Sequence, residues 1–301
     1  MAAQHESDFR SGFVAVAGRP NVGKSTLVNR ILGQELSIVT PKAQTTRNRI
    51  TAIHQTPRFQ MILLDTPGVH AANTPLNQAM VSTAVKSLEE ADVALMITTP
   101  AEKIPEEDLL LIDILRSAGS PAVLAINKID TVQPQLLLPV IDLFSKAYSF
   151  QEIVPISALT GSGVDQLVEA LVKMLPVSPP LFPEDDISDM PVRFFVAEII
   201  REMVTKMTGE EIPYKTAVVV EAFKERPSSV LIQADIHAER DSQKKILIGK
   251  GGQMIKKIGT AARHKIEAFL GQPVRLELFV KVSPHWTRDA KKLAEFGYLK
   301  P

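Results

Sequence analysis

From Phe13 to about Pro176 the chain alternates short apolar runs with stretches whose apolar residues recur at helical spacing. FVAVAG, ITAIHQT, FQMILLDT, DVALMITT, PAVLAINK and EIVPISA read as six strands, apolar nearly throughout. Runs of that kind suit a sheet buried on both faces, where each side of the strand meets apolar neighbours. Between them KSTLVNRILG, EEDLLLIDILRSAG and VDQLVEALVKML carry the spacing of helices. The alternation predicts a wound α/β domain with a mainly parallel sheet, over residues 1–176.

The stretch PVSPPLFPEDDISDMP, from Pro176 to Pro191, has five prolines, four acids and no periodicity. It reads as a linker over residues 177–190. Over residues 191–301 the order of elements changes. A helix, RFFVAEIIREMVTKMTG, precedes two strand runs, YKTAVVVEAF and SVLIQADIHA. A short helix (SQKKILI), a glycine loop, a longer helix (QMIKKIGTAARHKIEAFLG) and a strand (VRLELFVKV) follow. HWTRDAKKLAEFGY then looks helical, with Trp286 read as its packing residue. Strands and helices no longer alternate strictly, which predicts a separate α+β domain.

Composition adds exclusions. The 301 residues allow about two domains, and 45% hydrophobic with 23% charged residues is ordinary for a soluble protein. MAAQHESDFR lacks the apolar core of a signal peptide, and no apolar run approaches the roughly 18 residues that span a bilayer. The absence of cysteine excludes disulfides and thiolate metal sites, and the six histidines show no ligand-like spacing. The cytoplasm is the expected compartment. Net charge is zero, which alone argues against a polyanionic partner. Its distribution says more: residues 1–180 carry 14 basic and 17 acidic side chains, and residues 181–301 carry 20 and 17. Between Arg240 and Lys265 stand eight basic residues and one acid, Asp241.

Gly18-Arg19-Pro20-Asn21-Val22-Gly23-Lys24-Ser25 fits G-x-x-x-x-G-K-[ST], follows a strand and opens a helix. Glycines let the backbone curl around phosphate oxygens, and the amides of the loop and helix start point at negative charge. Lys24 would bridge the outer phosphates, Ser25 would ligate Mg²⁺, and Thr26 extends the nucleotide-binding run. Asn127-Lys128-Ile129-Asp130 ends the strand PAVLAINK, on the edge where open α/β sheets bind ligands. The Asp130 carboxylate can accept from N1–H and the 2-amino group of guanine; adenine offers neither donor. Asn127 can contact the purine's other edge and tie loops together, while the Lys128 stem covers the base plane. Ser157-Ala158-Leu159, after the next strand, would bring a backbone amide to guanine O6.

Asp65-Thr66-Pro67-Gly68 ends the strand FQMILLDT. Asp65 could hold Mg²⁺ through a water, and the Gly68 amide could sense a γ-phosphate. The polar segment TPKAQTTRNR, from Thr40 to Arg49, suits a switch. One threonine there should complete the metal shell when GTP is bound, and Thr46 is preferred over Thr45. Ras-like enzymes orient water with a glutamine just after this glycine, where the present chain has Val69. Water must then be positioned by backbone groups, another switch residue or a partner, and slow intrinsic turnover is expected. Arg47 and Arg49 are read as solvated side chains and not as arginine fingers.

A second glycine loop lies in ILIGKGGQMIKKIG, from Ile246 to Gly259. Gly249-Lys250-Gly251-Gly252 lacks the G-K-[ST] ending and joins two helices, so it is not a second nucleotide site. Small residues there let phosphates approach the amides, while Lys250, Lys256 and Lys257 supply charge. Ile246, Ile248 and Ile255 either floor the bases or belong to the core.

The spacing of GRPNVGKS, QTTR, DTPG, NKID and SAL resembles the translation-factor-like GTPases. The order helix, strand, strand, helix, loop, helix, strand resembles a type II KH domain, whose G-x-x-G loop grips about four unpaired nucleotides. Together they resemble the Era family, a G domain followed by a KH domain, over nearly all 301 residues. Families with two G domains, or with the G domain inserted elsewhere, do not fit this layout. The resemblance implies an α/β P-loop GTPase domain with a mainly parallel sheet, plus a C-terminal α+β type II KH domain. It implies GTP, GDP and Mg²⁺ as ligands and GTP hydrolysis as the activity. Its implied partners are the 3′ region of 16S ribosomal RNA and the small (30S) subunit during assembly. A monomer is expected, and the family's inner-membrane association implies peripheral membrane contact, although nothing here resembles an anchor. In similar GTPases an asparagine at the Asn21 position helps bind K⁺ beside the phosphates. The catalytic candidates are therefore Lys24, Thr46, Asn21 and Gly68. Two other readings stand beside this one: an RNA-binding nucleotide sensor with negligible turnover, which Val69 keeps open, and a P-loop kinase, which NKID disfavours.

Overall fold

A computed structural model describes residues 9–40, 42, 45–69 and 74–299. They form two compact units, divided between Asp189 and Met190, with Thr74–Leu76 belonging to the second. The first contains β1 (Arg10–Ala17), α1 (Lys24–Leu32), β2 (Ile50–Gln55), β3 (Phe59–Asp65) and α2 (Pro75–Glu90). It continues with β4 (Val93–Thr98), α3 (Glu106–Ala118), β5 (Ala122–Ile126), α4 (Leu137–Ala147), β6 (Glu152–Pro155) and α5 (Val164–Met174). The six strands lie in the order β2-β3-β1-β4-β5-β6, parallel except for β2, which runs antiparallel to β3.

Every residue of β3, β4 and β5 is buried, as their nearly continuous apolar runs predict. Each such Leu or Ile contributes roughly 2–3 kcal/mol over an exposed one, enough to require helices on both sheet faces. Leu88 of α2, Leu111 and Leu115 of α3 and Phe144 of α4 form one of those layers against Leu124 and Ile126. Helices α2 and α4 extend the set named from spacing; α2 carries scattered Ser and Thr, and α4 contains Pro139, which blur the pattern.

The proline-rich stretch 177–190, read as a linker, is bonded to the first unit through most of its length. Ser11 Oγ donates to the Pro179 carbonyl at 2.6 Å. The Gln60 side chain accepts from the Leu181 and Phe182 amides at 2.6 and 2.9 Å and donates to the Phe182 carbonyl at 2.8 Å. Ile53 N donates to the Ile187 carbonyl at 3.0 Å, so the strap caps the otherwise open edge strand β2. Its composition hides periodicity, not order.

The second unit contains α6 (Val192–Met207), β7 (Thr216–Arg226), β8 (Ser229–Ala238) and α7 (Asp241–Ile248). Then come α8 (Gln253–Leu270), β9 (Val274–Val282) and α9 (Ala290–Glu295). Its sheet has the order β7-β8-β9, antiparallel for the first pair and parallel for the second. Helices α6, α7 and α8 cover one face of it, with Ile200, Leu247, Ile258 and Ile266 packed on Ile232 and Ile236. The final segment divides into a short 3₁₀ turn, Trp286–Arg288, and α9. Trp286 is fully buried, donates from Nε1 to the Lys215 carbonyl at 3.0 Å and packs on Phe296 and Tyr298. It is a packing residue. Among the described residues no helix is long and apolar enough to cross a membrane.

Candidate functional site

Because β1, β3, β4, β5 and β6 run parallel, the loops that follow them open on one edge of the sheet. The glycine loop, Asp65–Gly68, Asn127–Asp130 and Ser157–Leu159 all follow such strands. Register sets Asp65 beside Val16, two residues before Gly18. Thr66 Oγ1 donates to the Val16 carbonyl at 2.8 Å, and the Val69 amide donates to the Gly18 carbonyl at 3.2 Å. Pro20 and Gly68 approach so closely that a Cβ on Gly68 would lie 3.0 Å from the Pro20 nitrogen.

Gly23 caps the start of α1 with a φ of 102°, and a Cβ there would collide with Asn127 Nδ2. The position therefore requires glycine twice over. No side chain caps the helix, and its first turn has no acid. The unpaired amides and the positive end of the helix dipole favour an anion at this point. Lys24 is buried beneath them and donates to the Gly18 and Arg19 carbonyls at 2.9 and 3.1 Å. Burial lowers its ammonium to about 8, against the opposing pull of Asp65 and Asp108. A poorly hydrated cation of this kind gains strongly from a phosphate.

Ser25 Oγ and Thr46 Oγ1 lie 2.9 Å apart, whereas Thr45 Oγ1 turns to Thr40 Oγ1 at 2.8 Å and the Lys42 carbonyl at 2.7 Å. Asp65 is fully buried, and neither of its carboxylate oxygens has a hydrogen-bond partner. Burial pushes its carboxyl up, and the Lys24 charge opposes this. Two hydroxyls and an orphaned carboxylate are hard oxygen donors. They fit Mg²⁺, which prefers oxygen ligands and keeps several waters.

At the base end, Asn127 Nδ2 donates to the Val22 carbonyl at 2.7 Å while its Oδ1 accepts from the Ala158 amide at 2.8 Å. One buried side chain thus ties the glycine loop to the Ser157–Leu159 segment. Ser157 Oγ donates to Asp130 Oδ1 at 2.5 Å and so orients that exposed carboxylate. Lys128 adopts a φ of 67° and donates from Nζ to the Asn21 carbonyl at 2.7 Å, laying its stem across the gap between the two loops. Leu159 stands largely exposed beside them.

One reading of the switch needs correction: Arg47, read as a solvated side chain, is buried. Arg49 stays partly exposed and forms an ion pair with Glu90 at 2.6 Å. Residues 41, 43 and 44 of that segment lie outside the described residues. Val69 is more than a missing glutamine: its side chain is fully buried among Ala17, Leu88 and Met96, directed into the core. Asp108, in the first turn of α3, was missed. It is fully buried; its Oδ2 accepts from Thr98 Oγ1 at 2.6 Å and from Arg19 Nε at 3.4 Å, while Arg19 Nη2 also reaches Thr99 Oγ1. In EED three acids simply suit a helix start, and only packing turns one of them toward the glycine loop.

The second glycine loop joins α7 to α8. Gly249, at φ 74° and ψ 174°, has Met254 so close that a Cβ would lie 2.7 Å from Met254 Cβ. Gly251 and Gly252 follow at φ 58° and 77°, with open space where a Cβ would stand. Lys250, Lys256 and Lys257 are exposed. Alongside runs a groove of about 310 Å³ lined by Ile255, Lys256, Gly259, Thr260 and Arg263 of α8 with Leu276 and Leu278 of β9. Ile255 lines this groove. Ile248 is only partly buried, and Ile246 is half exposed and absent from the groove lining; the core residue of this stretch is Leu247. The contributions of Arg263 and β9 escaped the sequence reading, because the second wall comes from a strand that pairs in parallel with β8.

Residues 13–128 match the model of the 50S ribosome-binding GTPase family, and residues 211–287 match that of the KH domain. GTPase Era of Geotalea uraniireducens is 50% identical over 294 residues, covering 97% of this chain and 99% of that protein. GTPase Era of Geobacter metallireducens is 50% identical over 295 residues, with the same coverage. Among solved structures, a tyrosine-to-alanine variant of Aquifex aeolicus Era bound to GDP and AlF4⁻ superposes with a TM-score of 0.93. It is 42% identical and covers 96% of this chain and 99% of its own. Era in complex with MgGDPNP and nucleotides 1506–1542 of 16S ribosomal RNA gives the same TM-score at 43% identity and the same coverage. Fold, motif spacing and near-complete coverage agree: the chain belongs to the Era family of GTPases.

Proposed function

We propose that this protein is a GTP-driven switch that engages the 3′ region of 16S ribosomal RNA through its second glycine loop and assists assembly of the small ribosomal subunit. The observation that carries the reading is the joining, in one chain, of a phosphate-loop edge to a G-x-x-G loop flanked by exposed lysines. A 43%-identical Era solved with MgGDPNP and 16S nucleotides supports it, and favours the small subunit over the 50S particle in the first family's description. In this reading residues 1–176 are the GTPase domain, 177–190 the strap and 191–301 the RNA-binding domain. A cytoplasmic setting follows from a ribosomal substrate; peripheral contact with the inner membrane rests on the family resemblance alone.

Gly18 to Thr26 would cradle the phosphates, Asp130 would read guanine, and a backbone amide of the Ser157–Leu159 segment would meet O6. Ser25, Thr46 and Asp65, the last through water, would hold Mg²⁺, which neutralises phosphate charge when bound. The Gly68 amide would sense the γ-phosphate. Asn21 would lend K⁺ its side-chain oxygen: the residue is exposed at the loop's mouth, and its carbonyl is already engaged by Lys128.

The test is RNA binding by a Lys250→Asp, Gly251→Asp double variant. Asp tolerates the left-handed backbone at Gly251, and no neighbour lies within 4 Å of a Cβ there, so folding should survive. Two carboxylates would then face a polyanion. In filter binding to single-stranded RNA from the 16S 3′ region, the wild type should lose affinity as salt rises. The double variant should bind at least roughly 10-fold more weakly, with GDP affinity unchanged. A folded variant with wild-type affinity and salt slope would reduce the loop to a turn between helices. The burial of Val69 favours one second reading, a nucleotide sensor with negligible turnover. GTP hydrolysis measured with and without the RNA separates the two.

A further inference from the structure

Arg30 lies in the last turn of α1, well past the phosphate-binding motif, and its side chain is exposed. It nevertheless reaches across to the base end of the site. Nε donates to the Ala158 carbonyl at 3.2 Å, and Nη2 donates to the Leu159 carbonyl. The Ala158 amide, on the other side of the same residue, donates to Asn127 Oδ1 at 2.8 Å. The segment Ser157–Leu159 is thus held from two directions, by Asn127 of β5's loop and by Arg30 of α1.

The amide that follows a carbonyl shares its peptide plane, so a guanidinium fixing the Ala158 carbonyl also fixes the Leu159 amide. A planar fork spanning two successive carbonyls restricts the rotation of both peptide units, which a single donor cannot do. Its neighbour Asn29 acts similarly on the loop that follows the helix: Oδ1 accepts from the Leu36 and Ser37 amides at 3.0 and 2.8 Å, and Nδ2 donates to the Ser37 carbonyl at 2.8 Å. The final turn of α1 therefore holds both segments that flank an approximately 360 Å³ pocket beside the base end.

We propose that Arg30 is a positioning residue for guanine recognition, fixing the Ala158–Leu159 peptides so that the backbone donor to guanine O6 is preorganised. The proposal rests on the reading that a backbone amide of this segment meets O6. It assigns Arg30 no contact with phosphate, metal or water.

The test crosses a protein change with a ligand change. Dissociation constants are measured for GDP and for 2-aminopurine riboside 5′-diphosphate, which keeps the 2-amino group but lacks O6 and the N1–H, so the comparison is of what each nucleotide loses on substitution of Arg30. Wild type should prefer GDP. Arg30→Ala should weaken GDP by roughly 3- to 10-fold, the range for one modest hydrogen bond, and leave the O6-free analogue within about two-fold. Arg30→Lys, which keeps the charge but can serve only one carbonyl at a time, should fall between; it decides the matter alone if Arg30→Ala does not fold. Equal losses for both nucleotides, or none for either, would overturn the role of Arg30 while leaving the O6 reading intact. A wild type that binds both nucleotides equally would overturn the O6 reading itself, and with it the proposal.

Discussion

The hydroxyl oxygens of Ser25 and Thr46 lie 2.9 Å apart, although one begins a helix and the other belongs to the polar segment before β2. Beside them the buried carboxylate of Asp65 has no hydrogen-bond partner. Ser25 sits on a rigid element and Thr46 on a loop, so their loss should differ in kind. Ser25→Ala should weaken Mg²⁺-dependent binding of both GDP and GTP. Thr46→Ala should spare GDP and slow hydrolysis by about 10²-fold, the usual scale for one charge-stabilising contact. Single-turnover assays with GDP titrations check both. Wild-type turnover in Thr46→Ala would turn attention to Thr45.

Base selectivity should reside in Asp130, which Ser157 Oγ orients from 2.5 Å. Asp130→Asn exchanges two acceptors for one acceptor and one donor. GDP affinity should fall by roughly 10- to 100-fold, as for loss of a hydrogen bond to a charged group. Xanthosine diphosphate, which carries an acceptor where guanine has its amino group, should gain. A fluorescence titration showing unchanged GDP affinity would discard the assignment.

Hydrolysis should run faster in K⁺ than in Na⁺ at equal ionic strength, and Asn21→Ala should erase the difference at a cost of roughly 10²-fold in K⁺. The side chain of Asn21 is exposed, with φ at 63°, so the substitution should not disturb the core. Identical wild-type rates in the two salts would remove potassium from the mechanism and leave the GTPase intact.

Acid should loosen the second unit through His237. Burial lowers the pKa of this imidazole, which lies 2.9 Å from Ser283 Oγ by Nδ1 and packs on Phe296. The unfolded chain then binds more protons than the folded one between the lowered value and 6.5. Stability is whole above 6.5 and is lost as pH falls through the lowered value. Thermal melts of wild type should drop more steeply than those of His237→Gln, which carries no titrating ring, as pH falls from 6.5 toward the lowered value. Parallel curves would show that the imidazole is not held neutral by the fold.

Most of the phosphate end was legible in the chain. Gly18 to Ser25 is a contiguous loop whose backbone makes the cradle, so its residue types announce its dihedral needs and its amides together. The order of strands and helices was legible as well, because periodicity is set by which faces each element buries. The strap was not. Its prolines and acids erase periodicity, and the hydrogen bonds that hold it come from Ser11, Gln60 and Ile53, more than a hundred residues away.

By itself, then, the sequence determined the two domains, the G-x-x-x-x-G-K-S loop and the second glycine loop, since each depends on neighbours in the chain. The tertiary structure alone decided which side chains meet. Asn127 reaches Val22 across 105 positions and Arg30 reaches Ala158 across 128, because parallel register brings strand ends to one edge. Packing chose Asp108 among three acids, turned Val69 and Arg47 inward, and made a groove wall from β9. Such choices depend on which surfaces remain free once the sheet and helices have packed. No local pattern encodes them, since an acid at a helix start or a valine after a glycine has the same neighbours in the chain whichever way it finally faces.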